Sequence, residues 1–401
     1  MNKNLNQIKE IDKKHYFNVF GERTPVAFSH GKGVYLYSLE GNPYMDLLGG
    51  IAVNCVGHGN NRLTEAIEKQ AKKLIHCSSL YYIPEQAELA LKLTEKTFAD
   101  RVFFGNSGAE ANEGAIKLAR AYYYKKGAPR SKVVSAFQSF HGRTLMTATV
   151  TGQEKYSKPF APLPEGFIHV PYNDISAMEA EVDTQTCAVV LELIQGESGV
   201  IPADKDYIQS VAALCKKYGV LFILDEVQTG IGRTGTLFCY EQYGISPDIL
   251  TSAKGLAGGV PIGAVLATED AASGFSPGDH GSTFGGNPLA TAAALAVLEE
   301  IDHENLLGNA VEIGEYLQKE LLNIQKKTNI ISDVRGIGLL IGIELSSPAA
   351  VEIKQKLFQK GFLVGSIGTQ VLRLAPPLIL KKSEASDFLS VFEEILTNYK
   401  D

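Results

Sequence analysis

From about residue 62 onward, helical stretches alternate with short apolar runs. The runs are Arg101-Val102-Phe103-Phe104, Lys132-Val133-Val134-Ser135-Ala136, Ala188-Val189-Val190-Leu191, Val220-Leu221-Phe222-Ile223-Leu224, Asp248-Ile249-Leu250 and Gly263-Ala264-Val265-Leu266-Ala267. Each is too short for a helix and reads as a strand buried on both faces. The alternation predicts an α/β domain with a mainly parallel sheet. Ahead of it lie a polar helical segment over 1–14, an irregular stretch around Gly21 and Pro25, and a hairpin from Gly33–Tyr37 to Tyr44–Leu48 turning at Glu40-Gly41-Asn42-Pro43. Gly49–Asn54 and Val56-Gly57-His58-Gly59 form a glycine-rich link. Beyond Pro288 an alanine- and leucine-rich helical stretch runs toward residue 327. A smaller strand-and-helix unit begins near Val334-Arg335-Gly336 and Leu339–Glu344 and reaches the C-terminus. There is no internal repeat.

Composition narrows the function classes. A net charge of -7, with no clustered Lys/Arg stripe, gives no footprint for nucleic acid. No apolar stretch has the length of a transmembrane helix, and the polar N-terminus lacks the apolar core of a signal peptide. The five cysteines, Cys55, Cys77, Cys187, Cys215 and Cys239, are widely spaced with no Cys-x-x-Cys pair. That usage fits a reducing cytoplasm and argues against a disulfide framework or a zinc site, and the histidines show no metal-ligand spacing.

Chemistry concentrates where the apolar runs end. Ile249–Ala253 leads into Lys254, then Gly255-Leu256-Ala257-Gly258-Gly259. A lysine there, on a backbone free to approach a ligand, is a candidate Schiff-base nucleophile; the plain alternative is a surface lysine at a strand end. Asp225 directly follows the most apolar run, at the carboxyl end of a central strand, where open α/β sheets bind ligands. A carboxylate there can hold a proton on a heteroaromatic nitrogen. Magnesium binding is the competing reading, but the phosphate loop it needs is missing.

Asn106-Ser107-Gly108-Ala109-Glu110 has capping-box spacing and predicts a helix to about Tyr124, whose first N–H groups suit a phosphate. In Phe140-His141-Gly142-Arg143 the ring suits stacking and the arginine a carboxylate. Gly281-Ser282-Thr283-Phe284-Gly285-Gly286-Asn287-Pro288 offers two hydroxyls beside glycine, which suit an anion. Each of these also has an ordinary structural explanation as a cap, a packed ring, an ion pair or a loop.

Taken in order, these stretches, with Gln195-Gly196-Glu197 and Asp225-Glu226-Val227-Gln228-Thr229-Gly230-Ile231-Gly232-Arg233-Thr234-Gly235, resemble the class-III pyridoxal-phosphate aminotransferases of the ornithine and 4-aminobutyrate type across nearly the whole chain. The resemblance implies fold-type I, with a large domain over 61–300 and a small α+β domain drawn from both chain ends, 1–60 and 301–401. It implies pyridoxal 5′-phosphate as cofactor. Lys254 would carry it as an imine and then move the proton between substrate and cofactor. Asp225 would pair with the pyridine nitrogen, Gln228 would reach the ring hydroxyl and Phe140 would stack on the ring. Ser107, Gly108 and Ala109 would hold the phosphate, and Thr283 would add a contact from a neighbouring subunit, because the class builds its sites across a dimer interface.

Within the class, Leu47–Asn54 and Ser79-Leu80-Tyr81-Tyr82 are similar to the subgroup acting on N2-acetylornithine. Ile51 stands where ornithine-specific members usually carry a tyrosine, and Phe20-Gly21-Glu22-Arg23-Thr24 lacks a second such tyrosine. The resemblance implies that Arg143, with Ser282 nearby, binds the substrate's α-carboxylate. Arg373 would bind that of glutamate or 2-oxoglutarate, and Glu197 would pair with Arg373 until the dicarboxylate arrives, so that one pocket serves two substrates. A structural ion pair is the alternative for Glu197 and Arg373. The implied reaction moves the δ-amino group of N2-acetylornithine to 2-oxoglutarate, the reverse of a step in arginine biosynthesis. Ornithine, 4-aminobutyrate, succinylornithine and N-succinyl-diaminopimelate are alternative amines. An aminomutase or a non-catalytic scaffold on the same fold are rivals of other kinds. The family usually continues Gly-His with His-Pro, whereas His58 is followed here by Gly59-Asn60-Asn61, which predicts altered local geometry at that turn without loss of chemistry.

Overall fold

The apolar runs form one seven-stranded sheet in the computed structural model, which describes residues 3–399. Met1 and Asn2, at the start of the segment read as helical, lie outside the described residues, as do Lys400 and Asp401; the helix itself covers Leu5–His15. The strands are β1 (Arg101–Gly105), β2 (Lys132–Ala136), β3 (Phe167–Val170), β4 (Thr186–Glu192), β5 (Leu221–Asp225), β6 (Ile249–Ser252) and β7 (Gly263–Ala267), in the order β1-β7-β6-β5-β4-β2-β3. Pairings from β6 through β5, β4 and β2 to β3 are parallel, and only β7 runs against its two neighbours. The sheet is thus mainly parallel. Strand β3 has no counterpart among the predicted runs: Phe167-Ile168-His169-Val170 is only partly buried at the sheet edge, so its apolar signal is weak.

Residues in β4, β5, β6 and β7 are buried throughout, which explains why these segments are apolar along most of their length. The parallel strands end on the same side, so the chemistry that follows each of them converges. In the register, Asp225 lies beside Glu192 on one side and Thr251 on the other. The helix Gly108–Lys125 crosses this sheet through small residues, among them Ala111, Gly114, Ala115 and Ala119.

The hairpin pairs Tyr35–Ser38 with Pro43–Asp46, and Phe362–Leu363 from the far end of the chain adds to it in parallel, so both ends of the chain share a sheet. A third sheet, Ile331–Ile337, Leu340–Leu345, Val371–Leu374 and Gly365–Ile367, carries Arg373 on a strand buried along its length. The helical stretch after Pro288 is two helices, Pro288–His303 and Leu306–Thr328. Asn305 separates them in a left-handed conformation (φ 50), which asparagine tolerates better than most residues.

A left-handed turn sits close to the predicted chemistry. Gly49, Gly50, Ile51 and Ala52 all have positive φ, and two of them are not glycine. Asp46 accepts hydrogen bonds from the N–H groups of Leu48 (3.1 Å) and Gly49 (2.9 Å), and Leu47 and Ala375 are joined by a 2.8 Å backbone bond. These tie the turn to the strand end beyond Arg373. At the nonstandard Gly59-Asn60-Asn61 turn, the Asn60 side chain caps the helix Asn61–Lys73 by accepting from the Leu63 N–H at 3.0 Å.

Candidate active site

A cavity of about 430 Å³ opens at the carboxyl ends of the strands. Its wall includes Ser107, Gly108, Ala109, Phe140, Arg143, Asp225, Gln228 and Lys254 from the predicted set, together with Asn112, His141 and Glu192. Residues spread over some 150 positions therefore meet because each ends or follows a strand of one sheet.

Lys254 begins a one-turn 3-10 helix directly after β6 and has φ 40, a strained value for a residue with a side chain. Its Nζ has no hydrogen bond or ion pair to any described residue. Burial lowers its pKa, while the charges of Glu197 and Asp225 pull the other way. A lysine held deep, half-buried and unpaired has the lowered proton affinity that nucleophilic amine chemistry requires. A surface lysine at a strand end is excluded by this position.

Asp225 is fixed from three sides. Asn112 Nδ2 donates to its Oδ2 at 2.7 Å, His141 Nδ1 donates to the same oxygen at 2.8 Å, and the Val227 N–H donates to Oδ1 at 3.0 Å. Asn112 also donates to the His141 carbonyl and accepts from the Thr251 hydroxyl (2.7 Å), so the carboxylate is locked against the sheet. A carboxylate has about four lone-pair positions, so one is left for a further donor. Burial lowers the proton affinity of His141, but the bond and charge of Asp225 outweigh it and the net pKa is raised.

The helix Gly108–Lys125 starts as predicted. The Ser107 hydroxyl accepts from the Glu110 N–H at 3.1 Å. The reciprocal half of the box is displaced by one residue: the Glu110 carboxylate accepts from the Asn106 N–H (2.7 Å) and the Asn106 amide (2.8 Å). Ser107 adopts an extended backbone, and Glu110 reaches past it. A Cβ on Gly108 would come within 2.7 Å of Val227, so only glycine lets this helix end sit against the cavity floor. The N–H groups of Gly108 and Ala109 belong to the first turn, where a helix has no internal acceptors.

Arg373 and Glu197 meet. Arg373 Nη1 donates to Glu197 Oε1 at 2.6 Å, to the Gly196 carbonyl at 2.9 Å and to Gln228 Oε1 at 3.3 Å. Burial raises the Glu197 pKa, but the Arg373 charge and hydrogen bond more than offset it and the carboxyl stays below its usual range. Arg373 is 5% exposed and its Nε has no partner. Arg143 behaves differently. It is exposed, its guanidinium lies 3.9 Å from the Tyr156 ring centre and 5.3 Å from that of Phe140, and no described carboxylate pairs with it. The surface ion pair open to it in the sequence is not formed.

Ser282 and Thr283 are not part of the cavity wall. Ser282 accepts from Asn106 Nδ2 (3.1 Å) and the Gly285 N–H (2.9 Å), which shapes its own loop, and Thr283 is exposed in a separate depression with Ser78, Ser79 and Leu80. Sequence motifs passed over Glu192 and the role of Asn112. The signal for Glu192 was available: like Asp225, it closes a fully apolar strand. Asn112 lies four residues after Gly108, on the same helical face.

The wall fits pyridoxal 5′-phosphate on its own chemistry. It offers an unpaired lysine, a fixed carboxylate with an acceptor position left, a ring at Phe140 and first-turn helix donors for a phosphate.

Comparison with known proteins agrees with this chemistry. The family model for class-III aminotransferases matches residues 16–396. The chain is 49% identical to the acetylornithine aminotransferase of Caldanaerobacter subterraneus over 97% of this chain and 99% of that protein, and 47% identical to that of Methanocaldococcus jannaschii over 98% of each. Among solved structures, the ornithine aminotransferase of Toxoplasma gondii superposes with a TM-score of 0.94 at 32% identity, covering 98% of this chain and 95% of that one. The acetylornithine aminotransferase of Elizabethkingia anophelis superposes at 0.89 with 34% identity, covering 99% and 100%. The chain belongs to the class-III aminotransferases, enzymes of fold-type I that depend on pyridoxal 5′-phosphate.

Proposed function

We propose that the protein transfers the δ-amino group of N2-acetylornithine to 2-oxoglutarate, giving N-acetylglutamate 5-semialdehyde and glutamate, and runs in reverse in arginine biosynthesis. The near-half identity to relatives named acetylornithine aminotransferase, along 97% of the chain, carries the choice of amine. Ile51, an aliphatic residue on the left-handed turn beside the cavity residue Val53, supports it, because an acylated amine needs no polar partner there. The T. gondii neighbour keeps ornithine as the second reading.

Pyridoxal phosphate, when bound, supplies a carbonyl for the amino group and an electron-withdrawing ring. Lys254 holds it and later moves the proton at the substrate's amine-bearing carbon. Asp225, pinned by Asn112 and His141, holds the ring nitrogen protonated. Gln228 reaches the ring hydroxyl, Phe140 covers one face, and Ser107, Gly108 and Ala109 receive the phosphate. Arg143 orients the amine substrate through its carboxylate, and Ser282, outside the wall of a single chain, is a second contact once a neighbouring subunit completes the site. Arg373 binds the dicarboxylate once Glu197 releases it, so an arginine already desolvated and partly satisfied exchanges one carboxylate partner for another.

The site is completed in a homodimer, with Thr283 of one subunit serving the other. The helix Leu5–His15, which buries none of its residues within the chain, and the exposed Phe17, Leu80 and Tyr82 supply the apolar surface for it. The small domain combines 1–60 and 301–401 and the large domain spans 61–300. No described helix is long and apolar enough to cross a membrane, and the cytoplasm is the proposed compartment.

The test is an absorbance titration of the purified yellow protein with N-acetylornithine, ornithine, 4-aminobutyrate and N-succinyl-diaminopimelate in turn. Fast conversion by N-acetylornithine, reversed by 2-oxoglutarate, is expected. Preference for another amine would replace the substrate and keep the mechanism.

A further inference from the structure

Glu192 and Asp225 are register partners at the ends of the adjacent strands β4 and β5, and both line the cavity. Their surroundings differ. Asp225 receives two side-chain donors and one backbone donor, whereas Glu192 receives only backbone N–H groups, from Phe140 (2.9 Å) and Gly196 (3.4 Å). Those two N–H groups belong to two separate turns, one of which lines the cavity at Phe140. Phe140 carries the ring proposed to stack on the cofactor, and Gly196 precedes Glu197, the partner of Arg373.

The same two turns are joined at their outer ends, by Gln195 Nε2 donating to the Phe137 carbonyl (2.8 Å) and the Ser198 hydroxyl donating to that of Gln138. Glu192 is therefore the inner, charged member of a set of cross-links. A Cβ on Gly196 would lie 2.5 Å from the end of the Gln228 side chain, so a larger residue there would have to displace that side chain.

We propose that Glu192 is a positioning residue for the transamination: its carboxylate holds the Phe140 turn against the Gly196–Glu197 turn and sets a second negative charge facing Lys254 across the cavity floor. The inference rests on the cavity being the cofactor site. Burial pushes the Glu192 carboxyl up to about 7, with His141 opposing, Asp225 adding to the rise, and the Phe140 N–H and Lys254 opposing. Tyr172, whose hydroxyl donates to the Glu192 carbonyl at 2.7 Å, closes the back of the group. The two neighbouring carboxylates are held differently: Asp225 by two side-chain donors and one N–H of its own turn, and Glu192 by the N–H groups of two separate turns.

Glu192→Gln keeps the volume, removes the charge, and turns one amide donor against an N–H that had an acceptor. The test is made on the cofactor-loaded enzyme with three readings. The pH midpoint of the bound chromophore's absorbance is expected to move to lower pH, because a negative charge favouring the protonated Lys254 nitrogen is gone. Single-turnover rates are expected to fall roughly tenfold more with 2-oxoglutarate than with the amine, since the loosened turn carries Glu197. Thermal unfolding checks the fold, and Glu192→Ala is the harsher variant should the glutamine side chain find a substitute bond. An unchanged midpoint and an unchanged ratio of half-reactions, with only a lower thermal midpoint, would make Glu192 a structural residue and overturn the proposal. A wild-type protein with no chromophore after addition of pyridoxal phosphate would instead remove the cofactor reading on which it rests.

Discussion

The floor and the mouth of the cavity are built on different terms. At the floor Asp225 is held by three donors: Asn112, which bonds three partners, His141 and the Val227 N–H, although the buried His141 Nε2 keeps no partner of its own. Lys254 stands beside them unpaired. At the mouth the arrangement is looser. Arg143 is exposed against two aromatic rings without a carboxylate, Thr283 lies outside the cavity, and the buried Arg373–Glu197 pair touches the wall only through Gln228. The floor is preorganised for one group that stays, and the mouth for two substrates that alternate. A fixed electrostatic environment at the floor costs no rearrangement during the reaction, while rigidity at the mouth would favour one substrate over the other.

The largest effect should come from the unpaired amine at the floor. Lys254→Ala is expected to lower turnover by roughly 10,000-fold or more, since it removes both the attachment and the proton carrier. Its thermal midpoint should stay close to the wild type, because alanine keeps the Cβ strained at φ 40 and the amine it removes bonds to no described residue. Turnover that survives the change would remove the mechanism.

Substitutions at the mouth should divide the two half-reactions instead of abolishing both. Arg373→Ala is expected to slow the 2-oxoglutarate half by roughly 10- to 100-fold, the worth of a charged hydrogen-bonded contact, with less effect on the amine half. Arg143→Ala should do the reverse. Single-turnover absorbance with each substrate measures both. If the two variants lowered both halves equally, the mouth would be a unit like the floor and the contrast drawn here would fail.

The same contrast explains what was legible in the sequence. Floor residues sit at the ends of apolar strands or the start of a helix, so Asp225, Lys254 and Ser107–Ala109 can be found from local pattern, and the sheet that collects them follows from the alternation of runs with helices. Glu192 obeys the same rule as Asp225, and the run Ala188–Leu191 points straight at it. Strand β3 and the break at Asn305 were not legible, because a half-exposed edge strand has little apolar signal and a single left-handed residue barely interrupts a helical pattern. The mouth draws on segments as distant as Arg143, Glu197 and Arg373, and the meeting of Glu197 with Arg373 joins the turn after β4 to a strand of the third sheet. No local spacing encodes that, and only the resemblance to a family connected those positions. The Ser282–Thr283 loop is harder still, since nothing within one chain brings it to the cavity.

The smallest expected effect concerns how tightly the floor is held without its cofactor. His141 has a raised pKa in the folded protein, because the bond to Asp225 outweighs burial. A group whose folded pKa is raised contributes stability that is complete below its unfolded value, about 6.5 for histidine, and is lost as the pH rises through the folded value. The thermal midpoint of the cofactor-free protein should therefore decline as pH is raised across that window, and His141→Asn, which cannot take up the proton, should flatten the decline while lowering the midpoint at pH 6. A wild-type profile as flat as that of the variant would mean that the charge on His141 does not hold Asp225 in place. The neutral donors, Asn112 and the Val227 N–H, would then fix the floor on their own.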